Sequence, residues 1–349
     1  MKIICSALLI LSIIGLLSCK KQDGKSSPIS NDSVIVYAAG YVYDDTSNTA
    51  IYWKNGIPVL LPPKTNANDN SFAYSIAVSG NDVYVAGNCP LGPVYWKNGT
   101  PHVLTNLNAQ ANAVAVAGND VYVAGSEINT NDGPNDFAVY WKNGTPTILS
   151  QDDKTAGANA ILLHDNDIYV SGSSRPNGTY GYATYWKNGQ AVHLTSGNVP
   201  SDCYSMVVSG TDVYVAGNLT ANGGSAVYWK NGVAVPLLSG NLRSGAGYIA
   251  LSGSDVYVAG GVYNPALSIF NAVYWKNGQM FYLADPSVSS AATSIAIHGK
   301  DVYIGGMISK PYAASQQSFV ATYWKNGVPV TLPYNGGLGY RYVFSIFVQ

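Results

Sequence analysis

The segment Asp212-Val213-Tyr214-Val215-Ala216-Gly217 is short, rich in β-branched and aromatic residues, and flanked by glycine and asparagine, so it reads as a β-strand. Its apolar residues fall on both faces, with the two valines pointing one way and Tyr214 and Ala216 the other, as expected of a sheet covered on both sides. The same pattern recurs within a larger unit of four strands. One copy runs Phe72–Val78, Asp82–Gly87, Val94–Lys97 and Pro101–Leu104, here called strands A to D. Ser79-Gly80-Asn81 joins A to B and Asn98-Gly99 joins C to D, both of the kind that closes tight hairpins. The B–C connections, such as Ser126 to Asp136, Ser173 to Gly181, Val262 to Phe270 and Met307 to Ser318, read as long loops that differ in every copy, and the D–A connections vary too. Antiparallel strands alternate direction, so both variable connections emerge on one face and both constant turns on the other. The variable face is where binding is expected.

Seven copies of Tyr-Trp-Lys-Asn-Gly mark the units and hold every tryptophan: Trp53, Trp96, Trp141, Trp186, Trp229, Trp275 and Trp324. Strand-rich repeats of about 40–50 residues predict an all-β, seven-bladed β-propeller of four-stranded antiparallel blades. The repeats open at Val34–Gly40, a B strand with no A strand before it, and end at Tyr342–Val348, an A strand with nothing after it. Joined, they complete one blade, so N-terminal strands and a C-terminal strand close the ring and remove its open edges.

Ahead of the repeats, Met1-Lys2 and the apolar run Ile3 to Leu17 have the form of a secretory signal, and the run is too short to span a bilayer comfortably. It ends in Leu16-Leu17-Ser18-Cys19, which resembles the lipobox of bacterial lipoproteins; the rival is an ordinary cleaved signal with an incidental cysteine. The organisation expected is a signal peptide over residues 1–18, a lipidated Cys19 and flexible tether over 19–33, and the propeller over 34–349. That places the protein in the bacterial cell envelope, lipid-anchored at the outer membrane, with periplasmic or surface display left open.

Charged residues make up only 11% of the chain and the formal net charge is −1, so no basic field exists to attract nucleic acid. Cys89 and Cys203 lie three blades apart, too far for a disulfide. No phosphate loop or nucleophile elbow occurs, no pair of the four histidines has zinc spacing, and no cofactor is expected. A monomer is expected.

The tryptophans could stack on sugars, but their fixed place inside strand C assigns them to the core. Tyr180, Tyr182, Tyr263 and Tyr312 fall in the B–C connections and are the candidate ligand-binding residues, for a glycan or an envelope protein. The repeated lysines, Lys54 to Lys325, read as a solvated rim, and the aspartates that open six B strands as turn caps. The loop Asn129–Asp136 offers a weak calcium candidate in Asn131, Asp132 and Asp136, without the spacing or terminal glutamate of a calcium loop. A catalytic carboxylate pair could assemble from loop residues such as Asp136 and Asp202.

From about Val34 to Val348 the chain resembles bacterial extracellular propeller-repeat proteins whose units carry a Val-Tyr-Val-Ala-Gly strand and a Tyr-Trp-Lys-Asn-Gly hairpin. It lacks the strand-ending Trp-Asp of Trp-Asp repeats and the paired glycines of Kelch units. The resemblance implies the fold and carries no functional residue. The function expected is a non-catalytic ligand-binding or protein-interaction scaffold working through the variable face. The alternative is a carbohydrate-active or other envelope hydrolase with loop carboxylates at the axial mouth, about 5–10 Å apart.

Overall fold

The computed structural model describes residues 34–43, 46–63, 66–129, 135–150, 155–176, 181–220, 224–237, 242–313, 316–334 and 340–349. The leader, Cys19 and the tether lie outside these residues. Val34–Gln349 form one compact unit.

Among the described residues every regular element is a strand. The chain begins with β1 (Val36–Tyr43), β2 (Asn48–Lys54) and β3 (Ile57–Leu60). Blade 2 is β4 (Phe72–Ser79), β5 (Asp82–Cys89), β6 (Gly92–Lys97) and β7 (Thr100–Val103). Blade 3 is β8 (Ala109–Ala117), β9 (Asp120–Asn129), β10 (Asn135–Lys142) and β11 (Thr145–Ile148). Blade 4 is β12 (Ala156–His164), β13 (Asp167–Ser174), β14 (Tyr182–Lys187) and β15 (Gln190–His193). Blade 5 is β16 (Ser201–Ser209), β17 (Asp212–Leu219), β18 (Ser225–Lys230) and β19 (Val233–Pro236). Blade 6 is β20 (Ser244–Ser252), β21 (Asp255–Asn264), β22 (Ile269–Lys276) and β23 (Gln279–Tyr282). Blade 7 is β24 (Ser290–His298), β25 (Asp301–Ala313), β26 (Gln316–Lys325) and β27 (Val328–Thr331). The last strand, β28 (Arg341–Val348), pairs with β1 and becomes the inner strand of blade 1, whose order is β28-β1-β2-β3. The seven-bladed ring and its closure by both chain ends are as the sequence predicts.

Each tryptophan fills the space between its own blade and the preceding one. Trp96 packs with Tyr37, Ala39 and Ala50 of blade 1, and Trp53 packs with Ala321 and Leu332 of blade 7, so one interface repeats around the ring and across the closure. All seven indoles are almost wholly buried, and burial on that scale makes them the main apolar contribution of each interface. Trp53 Nε1 donates to the Pro333 carbonyl at 2.8 Å, and Trp96 Nε1 donates to that of Pro62.

The Asn-Gly turns have the predicted hairpin geometry. The seven asparagines sit at φ 49–52° and the glycines at φ 79–84°, both left-handed as a type I′ turn requires. The asparagine Oδ1 accepts from the second residue of strand B, as Asn98 does from Val83 N at 2.9 Å.

The lysines are not simply solvated. In blades 2–7 each Nζ lies 2.7–2.9 Å from the aspartate that opens strand B. It also sits 5.1–5.4 Å from the centre of a strand-B tyrosine ring. The same aspartate accepts from the turn asparagine at 2.7–2.8 Å. Turn capping is therefore part of the aspartate's role, and the clasp also gathers the lysine. In blade 1 Ile35 takes the aspartate's place, and Lys54 Nζ lies 5.5 Å from the centre of the Tyr37 ring.

Lysine and asparagine hydrogen bonds hold the six aspartates below their ordinary value of 3.8. A carboxyl lowered on folding stabilises the native state above its unfolded pKa, and that contribution is lost as pH falls through the lower folded value. The melting temperature is therefore expected to decline below about pH 4. The decline should be shallower when Asp212 and Asp255 are both changed to asparagine; an identical acid profile in the double variant would contradict the assignment.

Candidate functional site

The inner strands bring chemistry to the axis through one irregularity repeated in every blade. Each A strand has a bulge at its third or fourth residue, in the half nearer the variable face. In ring order the bulged residues are Phe344, Tyr74, Asn112, Asn159, Tyr204, Gly247 and Thr293. The residue opposite each bulge on strand B is the last glycine of Val-Tyr-Val-Ala-Gly or its equivalent. A Cβ on any of these seven glycines would lie 1.7–2.0 Å from a strand-A carbonyl oxygen, so the bulge and the glycine require each other.

The bulges frame an axial cavity of about 330 Å³ lined by Tyr74, Asn112, Asn159, Tyr204, Tyr248 and Phe344, together with serines and aliphatic residues of the same strands. Some bulged side chains also link blades. Asn112 Nδ2 donates to Ala158 O at 3.0 Å, Asn159 Nδ2 to Cys203 O at 2.7 Å, and Thr293 Oγ1 to Val343 O at 2.6 Å. Ser345 and Ser75 accept from the next blade's backbone, from Ile76 N at 3.3 Å and Val114 N at 3.1 Å. Burial raises the phenol pKa of Tyr74, of Tyr204, and of Tyr248, the last to about 12, so all three face the axis as neutral hydroxyls.

From the cavity an aromatic ladder climbs over the closure blade. Tyr74 meets Phe72 at 5.9 Å and Phe344 at 5.4 Å between ring centres, Tyr41 stacks on Tyr342 at 4.8 Å, and Phe319 continues to Tyr340 at 5.8 Å. Neither the ladder nor the bulged ring follows from the sequence reading above. The available signal is variation inside strand A: Tyr, Asn, Asn, Tyr, Gly, Thr and Phe occupy one position between small and aliphatic neighbours that hardly change.

The predicted tyrosines are scattered. Tyr180 lies outside the described residues. Tyr182 begins β14 instead of sitting in a loop, and its ring packs 5.0 Å from that of His193 on the outer strand. Tyr263 is near the end of β21, 5.2 Å from the half-exposed Phe270 ring, with the Arg243 guanidinium 5.5 Å from its centre. Tyr312 belongs to β25. Three of the B–C connections expected as loops are thus partly hairpin arms: β9 and β10 pair out to Asn129 and Asn135, β21 and β22 to Asn264 and Ile269, and β25 and β26 to Ala313 and Gln316. Backbone pairing satisfies their polar groups, which an isolated loop leaves to solvent.

Asn131 and Asp132 of the calcium candidate lie outside the described residues, and Asp136 lies in β10. Among the described residues no three or more His, Cys, Asp or Glu side chains gather as a metal site. Asp136 and Asp202 belong to blades 3 and 5 and neither lines the cavity. Burial raises the pKa of Glu127 on β9, but this carboxyl does not line the cavity either. His102 stacks on Tyr95 at 4.7 Å, His193 meets Thr184 Oγ1 at 3.0 Å, and His164 Nε2 lies 3.1 Å from Gly210 O; all three are used in packing or turns. Cys89 and Cys203 are both buried and unbonded.

No family model matches the chain, and no curated protein matches it. Solved structures do. A puromycin-hydrolysing peptidase of Mycobacterium tuberculosis aligns with a TM-score of 0.55 and 12% identity over 86% of this chain and 54% of its own. An acylaminoacyl peptidase of Pyrococcus horikoshii aligns with a TM-score of 0.53 and 11% identity over 87% and 51%. The β-propeller domain of the Trilobed protease from Pyrococcus furiosus gives 0.49 and 10% over 87% and 95%. The chain spans about half the length of the two peptidases, and at these identities the likeness is one of fold.

Proposed function

We propose that the protein is a non-catalytic binding or scaffolding module of the bacterial cell envelope, held by a lipid on Cys19 and engaging a glycan or an envelope protein through its variable face. The observation that carries this reading is the cavity lining. Among the described residues, tyrosine, asparagine, serine and apolar side chains surround it, a set suited to holding a neutral ligand and without the carboxylate, histidine or lysine that would serve as the acid or base of hydrolysis. The hydrolase alternative calls for two carboxylates facing one another across that mouth.

Among the described residues, the chain enters the ring at the start of β1, where Ile35 N donates to Gln349 O, on the face of the constant turns.

A glycan-array screen of the full-length protein tests the reading, repeated with Tyr74→Leu in the cavity and with Tyr182, Tyr263 and Tyr312 changed to alanine on the arms. Selective binding, weakened about tenfold or more by at least one set, is the expected result. Steady release of cleaved sugar from a bound glycan would contradict the non-catalytic assignment.

A further inference from the structure

The seven inner strands follow one another around the axis in blade order, β28, β4, β8, β12, β16, β20 and β24. In a seven-membered ring, the blade 1 and blade 2 pair stands opposite blade 5, with blade 6 beside it. Phe344 and Tyr74 therefore lie across the cavity from Tyr204, which Tyr248 flanks, and the amides of Asn112 and Asn159 come between on one side. On the other side blade 7 has turned its Thr293 hydroxyl away, into bonds with Val343 O at 2.6 Å and Gly305 O at 3.1 Å. The cavity is thus a slot with aromatic residues on two sides, an amide edge from blades 3 and 4, and the Ser294 hydroxyl on the blade 7 side.

The edge is pre-set. Each amide is fixed by one N–H given to the neighbouring blade, which leaves a second N–H and the carbonyl oxygen of each for a ligand. Among the described residues no ionised side chain lines the slot, so a charged guest would lose its hydration without gaining a counter-ion. A volume of about 330 Å³ stands near the lower end of the range of about 300–1,000 Å³ for small-molecule pockets, which suits one or two rings and not a folded peptide.

The geometry points to a neutral pyranose as the occupant: its apolar faces lie between the Tyr74/Phe344 and Tyr204/Tyr248 walls, and its hydroxyls are read by Asn112 and Asn159. This rests on the binding reading proposed above and names the ligand class for the same channel. A pyranose matches the slot because it has two C–H faces for aromatic contact and a rim of hydroxyls that both donate and accept. A uronic acid or a protonated amino sugar has the same ring and is discriminated against by charge alone.

Saturation-transfer NMR on the full-length protein at pH 7 tests this with methyl glucoside, methyl galactoside, methyl mannoside, methyl glucuronate anion and methyl glucosaminide cation as probes. At least one neutral pyranoside is expected to receive saturation, with affinity about tenfold weaker in Asn159→Ala and Tyr74→Leu and unchanged in Tyr282→Ala, an exposed residue of the outer strand β23. Asn159→Ala also removes a link to blade 5, whereas Tyr74→Leu keeps apolar bulk on the opposite wall. Each variant is compared only with its melting temperature matched to the parent, and a loss in either matched variant supports the slot. Equal binding of the glucuronate anion, or pyranoside binding lost in Tyr282→Ala and kept in both slot variants, overturns the pyranose slot while leaving the protein a glycan binder. No pyranoside signal in the slot also overturns it; if the glycan array is blank as well, the glycan form of the binding reading falls with it.

Discussion

Removal of Tyr342–Gln349 is expected to abolish the folded monomer. The truncation takes away all but the first residue of β28, which supplies the whole inner edge of blade 1 by pairing with β1 from Val36↔Val348 to Val42↔Arg341. It also takes Val343 from the cluster around Trp53, Ala321 and Leu332, and Ile346 from the cluster with Val36 and Tyr303. The strand touches blades 7 and 2 through β24 and β4, so its loss opens two interfaces and exposes β1 as an unpaired edge. Size-exclusion chromatography should find aggregate in place of monomer, and calorimetry should find no transition at the parental temperature. A monomeric truncation that melts with the parent would show that the ring does not need its closing strand.

Gly172→Ala is expected to cost about 3–5 kcal/mol, among the larger effects of a single methyl group. The added Cβ would sit 1.9 Å from the Gly157 carbonyl oxygen. Because the obstruction is backbone, relief requires dissolving the bulge that puts Asn159 at the axis. Gly157→Ala supplies the control, since its Cβ would meet nothing within 4 Å. The two melting temperatures should differ by about 5–10 °C, with Gly172→Ala the lower. Equal melting temperatures would mean that the strand-B glycine is not held by the bulge.

The architecture was legible because it is periodic. Seven Trp53-type positions, seven Asn-Gly turns and two complementary chain ends each state the same fold, and tight turns have few chemical solutions. The site was less legible because its position is set by an irregularity. A bulge moves one residue of strand A out of the ladder and towards the axis, which no two-residue alternation announces; Tyr204 reads as an ordinary strand residue until Cys203 and Ser205 are seen to pair with neighbouring Gly217 and Ala216. Variation in the B–C segments points instead to Tyr182, whose ring packs against His193 on the outer strand. The Lys97 clasp is hidden in the sequence for a related reason: its partner Asp82 is close only after strands B and C pair, and the hairpin turn alone does not display it.

On the binding reading proposed above, ligand enters the axial slot from the variable face. Hydroxyl-radical footprinting of the full-length protein, with and without the glycan selected on the array, tests it most directly. Protection is expected at Tyr74, Tyr204 and Phe344, with the exposed Tyr282 of the outer strand and His298 beside a constant turn labelled equally in both states. Protection confined to the outer strands or the constant turns, with the three slot residues unchanged, would contradict it.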